Sequence, residues 1–315
     1  MLVGCGPDPV SPLRVLGLQI ANARATTAEG RDANVRSIAA CLREHSGYEV
    51  YLLPELATVG YSDAVMGGSE ETAEDAMQGP SAKVLGEVAR KLNAFVVYGF
   101  PRRDKADTRS PTISQNVLGP DGSVVATYDK LHLCSIGDCS EKCFFRSGDH
   151  LTVFTAQRGF CVGVLICYDV RFSDVWAALA RDCRVDLVLH PSAFARDRAF
   201  SQWLPFVATR ACENQIYVLS LSFGDPSFGG SIAIGPGLQD VEHVRRLGCE
   251  QSGLPLLVDR SVLEEVRRDC PFGGDRRSDY SQMVKNLQGK GKEEGLRVCR
   301  VMQIYKYNFC SGTGE

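Results

Sequence analysis

The chain has no stretch approaching the roughly 18 consecutive apolar residues that cross a bilayer, so no membrane span is expected. Its start, Met1-Leu2-Val3-Gly4-Cys5-Gly6-Pro7-Asp8-Pro9, lacks the basic region and apolar run of a secretory leader. The first two dozen residues are also poor in Arg and carry Asp8 with several Pro and Gly, unlike a mitochondrial transit peptide. An excess of positive charge is missing as well. A formal charge of −3 and a pI near 6.0 give no electrostatic footprint for DNA or RNA, and no nucleic-acid partner is expected.

Cysteine is plentiful, 13 in 315 residues, but it lacks the regular spacing of a small disulfide framework. An odd, scattered set of thiols fits a reducing compartment, so the cytoplasm is the expected location. The Cys-x₂-Cys pairs that make zinc motifs specific are also missing. His132, Cys134, Cys139 and Cys143 form a loose group of soft ligands, but without that spacing neither a metal nor any other cofactor is expected. His132 is better read as an imidazole that orients its loop by hydrogen bonding.

What is present is an ordinary globular composition, 44% hydrophobic and 23% charged, in strand-like and helix-like segments that alternate without a low-complexity linker as far as Tyr280. This points to one layered α/β unit. Strands are expected at Leu13–Ile20, Tyr48–Leu53, Ala94–Phe100, Val185–His190 and Ile216–Leu221. Shorter strand-like pieces lie at Ser231–Gly235 and Leu254–Asp259. A hairpin joins Ile113–Leu118 to Ser123–Tyr128 through Gly119-Pro120-Asp121-Gly122. Helices are expected at Thr26–His45, Ser81–Leu92, from Cys167 to about Asp182, at Ala199–Glu213 and at Ser261–Arg268.

Three strand ends carry chemistry. The apolar run Cys161–Ile166 ends in Cys167, with a helix-like segment directly after it. That places the thiol on a sharp strand-to-helix turn near the positive end of a helix, a setting suited to a nucleophile. Tyr51-Leu52-Leu53-Pro54 ends in Glu55, and Ser123–Asp129 ends in Lys130. Strand ends on one edge of an α/β sheet converge on one crevice, so the three groups are expected to meet.

These segments resemble the nitrilase superfamily of carbon–nitrogen hydrolases, over about Leu13 to Tyr280. Leu53-Pro54-Glu55 with Gly60-Tyr61 resembles its glutamate segment, Tyr128-Asp129-Lys130-Leu131-His132-Leu133 its lysine segment, and Ile166-Cys167-Tyr168-Asp169-Val170-Arg171-Phe172 its nucleophile segment. His190-Pro191-Ser192-Ala193-Phe194, Thr209–Gln215 and Asp275–Tyr280 are similar to later segments of the family. The resemblance implies an α/β, four-layer α-β-β-α sandwich and association as a homodimer or higher homo-oligomer. It divides the chain into an extension, 1–12, a hydrolase domain, 13–280, and a tail, 281–315. That tail includes a strand-like piece, Val298–Tyr307, and either reaches a partner subunit or frays.

By the same resemblance Glu55 is the general base, Cys167 the nucleophile, and Lys130, with the N–H of Tyr168, the holder of the oxyanion. The family's second glutamate falls on Glu141, the only glutamate between Lys130 and Cys167. Tyr61, Phe194 and Trp203 are aromatic candidates for substrate contact that would serve equally as core. Arg171 reads either as a carboxylate partner or as a structural ion pair. The Tyr-x-Lys-x-His-Leu and Pro-Ser-Ala-Phe forms look like the Nit branch, which implies a small amide substrate and release of ammonia. An N-carbamoyl amine hydrolase, a nitrilase and a catalytically silent scaffold remain open, because the three groups do not separate them.

Overall fold

The computed structural model describes residues 11–103, 109–136, 140–237 and 244–293, the stretch 288–293 by backbone alone. The expected strand at Val298–Tyr307 lies outside the described residues. Two compact units divide the chain, one through Pro271 and one from Phe272 onward.

The first unit is built on two six-stranded sheets. One contains β1 (Leu13–Gln19), β2 (Val50–Leu52), β3 (Phe95–Arg102), β4 (Thr112–Leu118), β5 (Val124–Asp129) and β12 (Ser252–Val258), in the order β12-β1-β2-β3-β4-β5. The other contains β6 (Thr152–Thr155), β7 (Cys161–Val164), β8 (Leu187–Pro191), β9 (Tyr217–Leu221), β10 (Ile232–Ile234) and β11 (Arg245–Arg246), in the order β11-β10-β9-β8-β7-β6. Period-two alternation sorts the side chains of the first sheet. Val15, Val50, Leu52, Phe95 and Val97 face inward into a core shared with Leu187, Leu189, Leu219 and Ile232 of the second sheet. Leu16, Leu18, Tyr51, Val96 and Tyr98 face outward, beneath Val35, Ile38, Leu42, Leu85 and Val88.

Those covering residues belong to α1 (Ala28–Glu44) and α4 (Pro80–Leu92). α1 begins where the Thr27 side chain accepts the N–H of Gly30, and Val35, Ile38, Ala39 and Leu42 recur along its buried side. α4 begins on Pro80 and stops at Asn93 in the left-handed conformation. On the far side of the second sheet lie α6 (Ser173–Arg181) and α7 (Trp203–Asn214). A Cβ placed on Gly163 of β7 would sit 3.0 Å from the Leu179 side chain of α6. The layers run helix, sheet, sheet, helix, as the resemblance implied.

Short helices α2 (Asp63–Gly67), α3 (Ser69–Thr72) and α5 (Glu141–Phe144) lie in loops, and α8 (Arg260–Asp269) follows β12. In the second unit lie α9 (Phe272–Asp275), inside the expected hydrolase domain, and α10 (Tyr280–Glu293), a helix that the reading of the tail at 281–315 did not include. Among the described residues no helix is long and apolar enough to cross a membrane.

Two expected helices begin later than their sequences suggested. Cys167–Arg171 is a 3₁₀ turn and α6 starts only at Ser173, while Phe200–Gln202 is a 3₁₀ turn ahead of α7. In the first case the Asp169 side chain accepts the N–H of Ile166 at 2.9 Å, a local bond that competes with helix propagation from Cys167.

Candidate active site

Strand direction brings the site together. β2 and β3 run parallel, β4 reverses and β5 reverses again, so β2 and β5 both point toward the same edge. In the second sheet β7, β8 and β9 run parallel. Glu55 follows β2, Lys130 follows β5, Cys167 follows β7 and Ala193 follows β8.

Lys130, Glu55 and Glu141 are all fully buried. The Lys130 ammonium donates to Glu55 Oε1 at 2.7 Å and to Glu141 Oε1 and Oε2 at 2.7 and 2.9 Å. Glu55 Oε2 accepts the backbone N–H of Ala193 at 2.9 Å. Glu141 is held from two further directions, by the Tyr61 hydroxyl at 2.7 Å and the Cys134 N–H at 2.7 Å. The Cys167 thiol lies close enough to Glu55 for each to shift the other's proton affinity. A buried charge is stable only when it is paired and hydrogen-bonded, and each of these three meets that condition.

One cation between two carboxylates leaves the cluster with an excess of negative charge. Burial pushes Glu55 up from 4.5; Lys130 opposes the rise and Glu141 adds to it, and the carboxyl settles at about 7. Burial works against the Lys130 charge, but Glu141 and Glu55 outweigh it and hold the ammonium well above its ordinary range. Burial, then the Glu55 carboxylate, push the Cys167 thiol well above 9.0, with Lys130 opposing. The helix end expected to lower this thiol is not beside it, because α6 begins six residues later. The thiol therefore has to be deprotonated by a neighbouring base, and Glu55 is within reach.

Cys167 has φ of +42°, a left-handed conformation uncommon for a residue with a side chain. Asp169 holds the turn that imposes it. One of its oxygens accepts the Tyr128 hydroxyl at 2.8 Å and the Ile166 N–H, and the other accepts the His132 N–H at 3.1 Å and bonds to His132 Nδ1 at 2.7 Å. His132 also stacks on Phe172 with centroids 3.7 Å apart. The imidazole thus ties the lysine loop to the nucleophile turn. Cys139, of the soft-ligand group around it, lies outside the described residues.

A pocket opens at Cys167, lined in part by Tyr61, Glu141, Tyr168, Arg171, Phe194 and Asp197. Trp203 stands apart from the other aromatic candidates. It is fully buried and stacks behind Phe194, with centroids 5.2 Å apart and planes 2° from parallel, so it braces the pocket wall. Arg171 has no ion-pair partner among the described residues. Its Nη1 donates to Gln202 Oε1 at 3.2 Å, and its guanidinium lies over Phe206 and Tyr168. The structural ion pair weighed for it does not occur among the described residues, and Arg171 is one of the residues that line the pocket.

Sequence reasoning passed over Asp169 and the N–H of Ala193. The signal for Asp169 was an acid two residues beyond the cysteine in an otherwise apolar stretch. A backbone N–H leaves no trace in a sequence.

The model of the carbon–nitrogen hydrolase family matches residues 14–254. Omega-amidase NIT2 of Danio rerio is 30% identical over 257 residues, 77% of this chain and 88% of that protein. The Homo sapiens omega-amidase NIT2 is 29% identical over 262 residues, 78% and 90% of the two chains. Nit3 of Saccharomyces cerevisiae, a member of branch 10 of the nitrilase superfamily, shares the fold with a TM-score of 0.72 at 21% identity, over 88% of this chain and all of that one. An amidase from Nesterenkonia sp. AN1, solved with the acetamide moiety of fluoroacetamide on its active-site cysteine, superposes with a TM-score of 0.68 at 25% identity, covering 90% and 99%. With its two-sheet sandwich, its strand-end cluster and a family match across most of its length, this chain belongs to the carbon–nitrogen hydrolases of the nitrilase superfamily and is an enzyme similar to their Nit-type amidases.

Proposed function

We propose that the enzyme is an amidase that releases ammonia from a small ω-amide through a thioester on Cys167. One observation carries this reading: a buried cation, Lys130, is clamped between Glu55 and Glu141, beside a cysteine, Cys167, that lines an open pocket.

An amide carbonyl is a poor electrophile and its nitrogen a poor leaving group, so the site must supply a nucleophile, a proton and a partner for the oxyanion. Glu55 takes the thiol proton and the sulfur attacks the carbonyl carbon. The carbonyl electron pair moves to oxygen, where Lys130 and the Tyr168 N–H receive the charge. Glu55 returns the proton to nitrogen, the C–N bond breaks and ammonia leaves. Water deprotonated by Glu55 then attacks the thioester, and the C–S bond breaks to restore the thiol. Glu141 holds Lys130 in place throughout, itself fixed by Tyr61 and the Cys134 N–H.

Arg171 supports the choice of an ω-amide, because it lines the pocket, has no acidic partner among the described residues, and carries a guanidinium that pairs well with the carboxylate at the far end of such a substrate. Tyr168 and Phe194 supply apolar walls, and Trp203 supports Phe194 from behind. The relatives named omega-amidases support the same class.

The test is ammonia release by wild type and Cys167→Ala over succinamate, α-ketoglutaramate, N-carbamoyl amines and simple nitriles, with release of cysteinylglycine followed for deaminated glutathione. Turnover of the carboxylate-bearing amides that disappears in the variant is expected. Turnover that survives Cys167→Ala, or that favours the carbamoyl amines or nitriles, overturns the reading.

A further inference from the structure

The imidazole of His190, on β8, is fully buried and lies beneath the nucleophile turn. Its Nε2 is 2.9 Å from the Cys167 carbonyl oxygen, and its Nδ1 is 2.8 Å from Ser220 Oγ and 3.3 Å from Ser192 Oγ. A carbonyl only accepts, so Nε2 carries the proton and Nδ1 is the bare nitrogen. Ser220 completes that assignment. Its Oγ accepts the indole N–H of Trp203 at 2.8 Å and donates its own proton to Nδ1. Burial holds the ring at about 4, so it is neutral at working pH and keeps this single tautomer. The chain of donors runs from Trp203 to Ser220 to His190 to the Cys167 carbonyl.

That carbonyl belongs to the same peptide group as the N–H of Tyr168. No cis peptide bond occurs among the described residues, so this C=O and N–H point in opposite directions within one plane. With the oxygen tied to His190 in the core, the N–H points the other way. Cys167 and Tyr168 both line the pocket. At the start of a turn this N–H has no intrahelical acceptor. The left-handed φ of Cys167 makes the orientation costly to hold without such an anchor.

We propose that His190 is a positioning residue: its Nε2–H anchors the Cys167 carbonyl and thereby aims the Tyr168 N–H at the oxyanion of the tetrahedral intermediate, with Ser220 and Trp203 fixing the tautomer that does so. The proposal rests on the reading of Cys167 as nucleophile. Removing an oxyanion donor outright costs about 10²- to 10³-fold in kcat. Releasing the anchor of one that remains is expected to cost less, about 10- to 100-fold.

The test uses the full chain with His190→Leu, His190→Gln, Ser220→Ala and Cys167→Ala, each checked for cooperative unfolding. Succinamate is the substrate. Succinic semialdehyde serves as the matching aldehyde, which adds the thiol to give a tetrahedral oxygen, and iodoacetamide as an alkylating agent that reports on the thiol without one. For His190→Leu, kcat is expected to fall about 10- to 100-fold with KM changed less than about threefold. The Ki of succinic semialdehyde is expected to rise by the same factor as kcat falls, while the rate of Cys167 alkylation stays within about threefold. His190→Gln, whose amide N–H reaches the position of Nε2, should restore most of kcat. If the leucine variant does not fold, Ser220→Ala decides, with the same pattern at about 3- to 10-fold.

A kcat within threefold of wild type in the deciding variant overturns the proposal. So does a parallel loss of turnover, aldehyde binding and alkylation, which is what a general disordering of the site would give. Turnover that persists in Cys167→Ala instead overturns the reading of the nucleophile itself, so the two failures are distinct.

Discussion

At the scale of single residues, the competition for one ammonium decides the chemistry. Glu55 and Glu141 both contact Lys130, but Glu141 also accepts bonds from Tyr61 and from the Cys134 N–H, whereas Glu55 accepts from the Ala193 N–H and faces the thiol. Burial raises Glu55 to about 7, the value at which a carboxyl both accepts a thiol proton and returns it to nitrogen near neutral pH. The base must be ionised to act, so activity is lost as protons are added. We expect kcat/KM for succinamate to fall on the acid side with an apparent pKa near 7, measured between about pH 5 and 9. An acid limb near 4.5, the ordinary carboxyl value, would show that burial does not raise the carboxyl that acts as base. Glu55, Lys130 and Cys167 were legible in the sequence because each sits at a strand end inside a family segment, and Glu141 because it is the only glutamate between Lys130 and Cys167. His190 was visible only as part of such a segment. Its partner, the Cys167 carbonyl, is backbone, and no residue code records where a carbonyl points.

The elements show why those strand ends meet so closely. The loop carrying Glu55 crosses β3 at Gly99, where a Cβ would lie 2.4 Å from the Leu56 nitrogen and 2.6 Å from the Pro54 oxygen. Both are backbone atoms, so they move only if the Glu55 loop moves with them. Gly99→Ala is expected to cost about 1–3 kcal/mol of stability and to lower kcat by about tenfold or more as the carboxylate leaves its place against Lys130. Urea unfolding and the ammonia assay on one preparation would show this, and a stability loss with kcat intact would mean that the loop gives way without carrying Glu55. Strands such as β1 and β9 were readable from their apolar runs, and α1 and α4 from their periodicity and starts. The 3₁₀ turn at Cys167 was not, because its residues have acceptable helical spacing. What diverts them is the Asp169 side chain, which bonds locally to the Ile166 N–H and spends its remaining capacity on Tyr128 and His132, two contacts that exist only once β5 and the lysine loop have packed beside it.

Over the whole molecule, the four layers followed from the family resemblance; alternation alone announced only a layered α/β unit. Sheet order depends on which strands pair across long separations, such as β1 with β12, and local pattern is silent on that. Once formed, the shared core removes the site from water and gives the fold two opposed proton linkages. Glu55 keeps a proton in the folded chain up to about 7 but releases it near 4.5 when unfolded, so its contribution to stability is present at low pH and is lost as pH rises through that window. His190 refuses a proton down to about 4 when folded but accepts one near 6.5 when unfolded, so its contribution is lost as pH falls. Between about 4.5 and 6.5 the two slopes oppose each other and nearly cancel. Substituting either residue uncovers the other. The stability of His190→Gln relative to wild type is expected to improve by on the order of 3 kcal/mol as pH is lowered from 6.5 to 4. That of Glu55→Gln is expected to improve as pH is raised from 4.5 to 7. Urea-unfolding free energies of the three proteins across this range test both signs, and curves that run parallel to wild type would show that neither group carries the linkage.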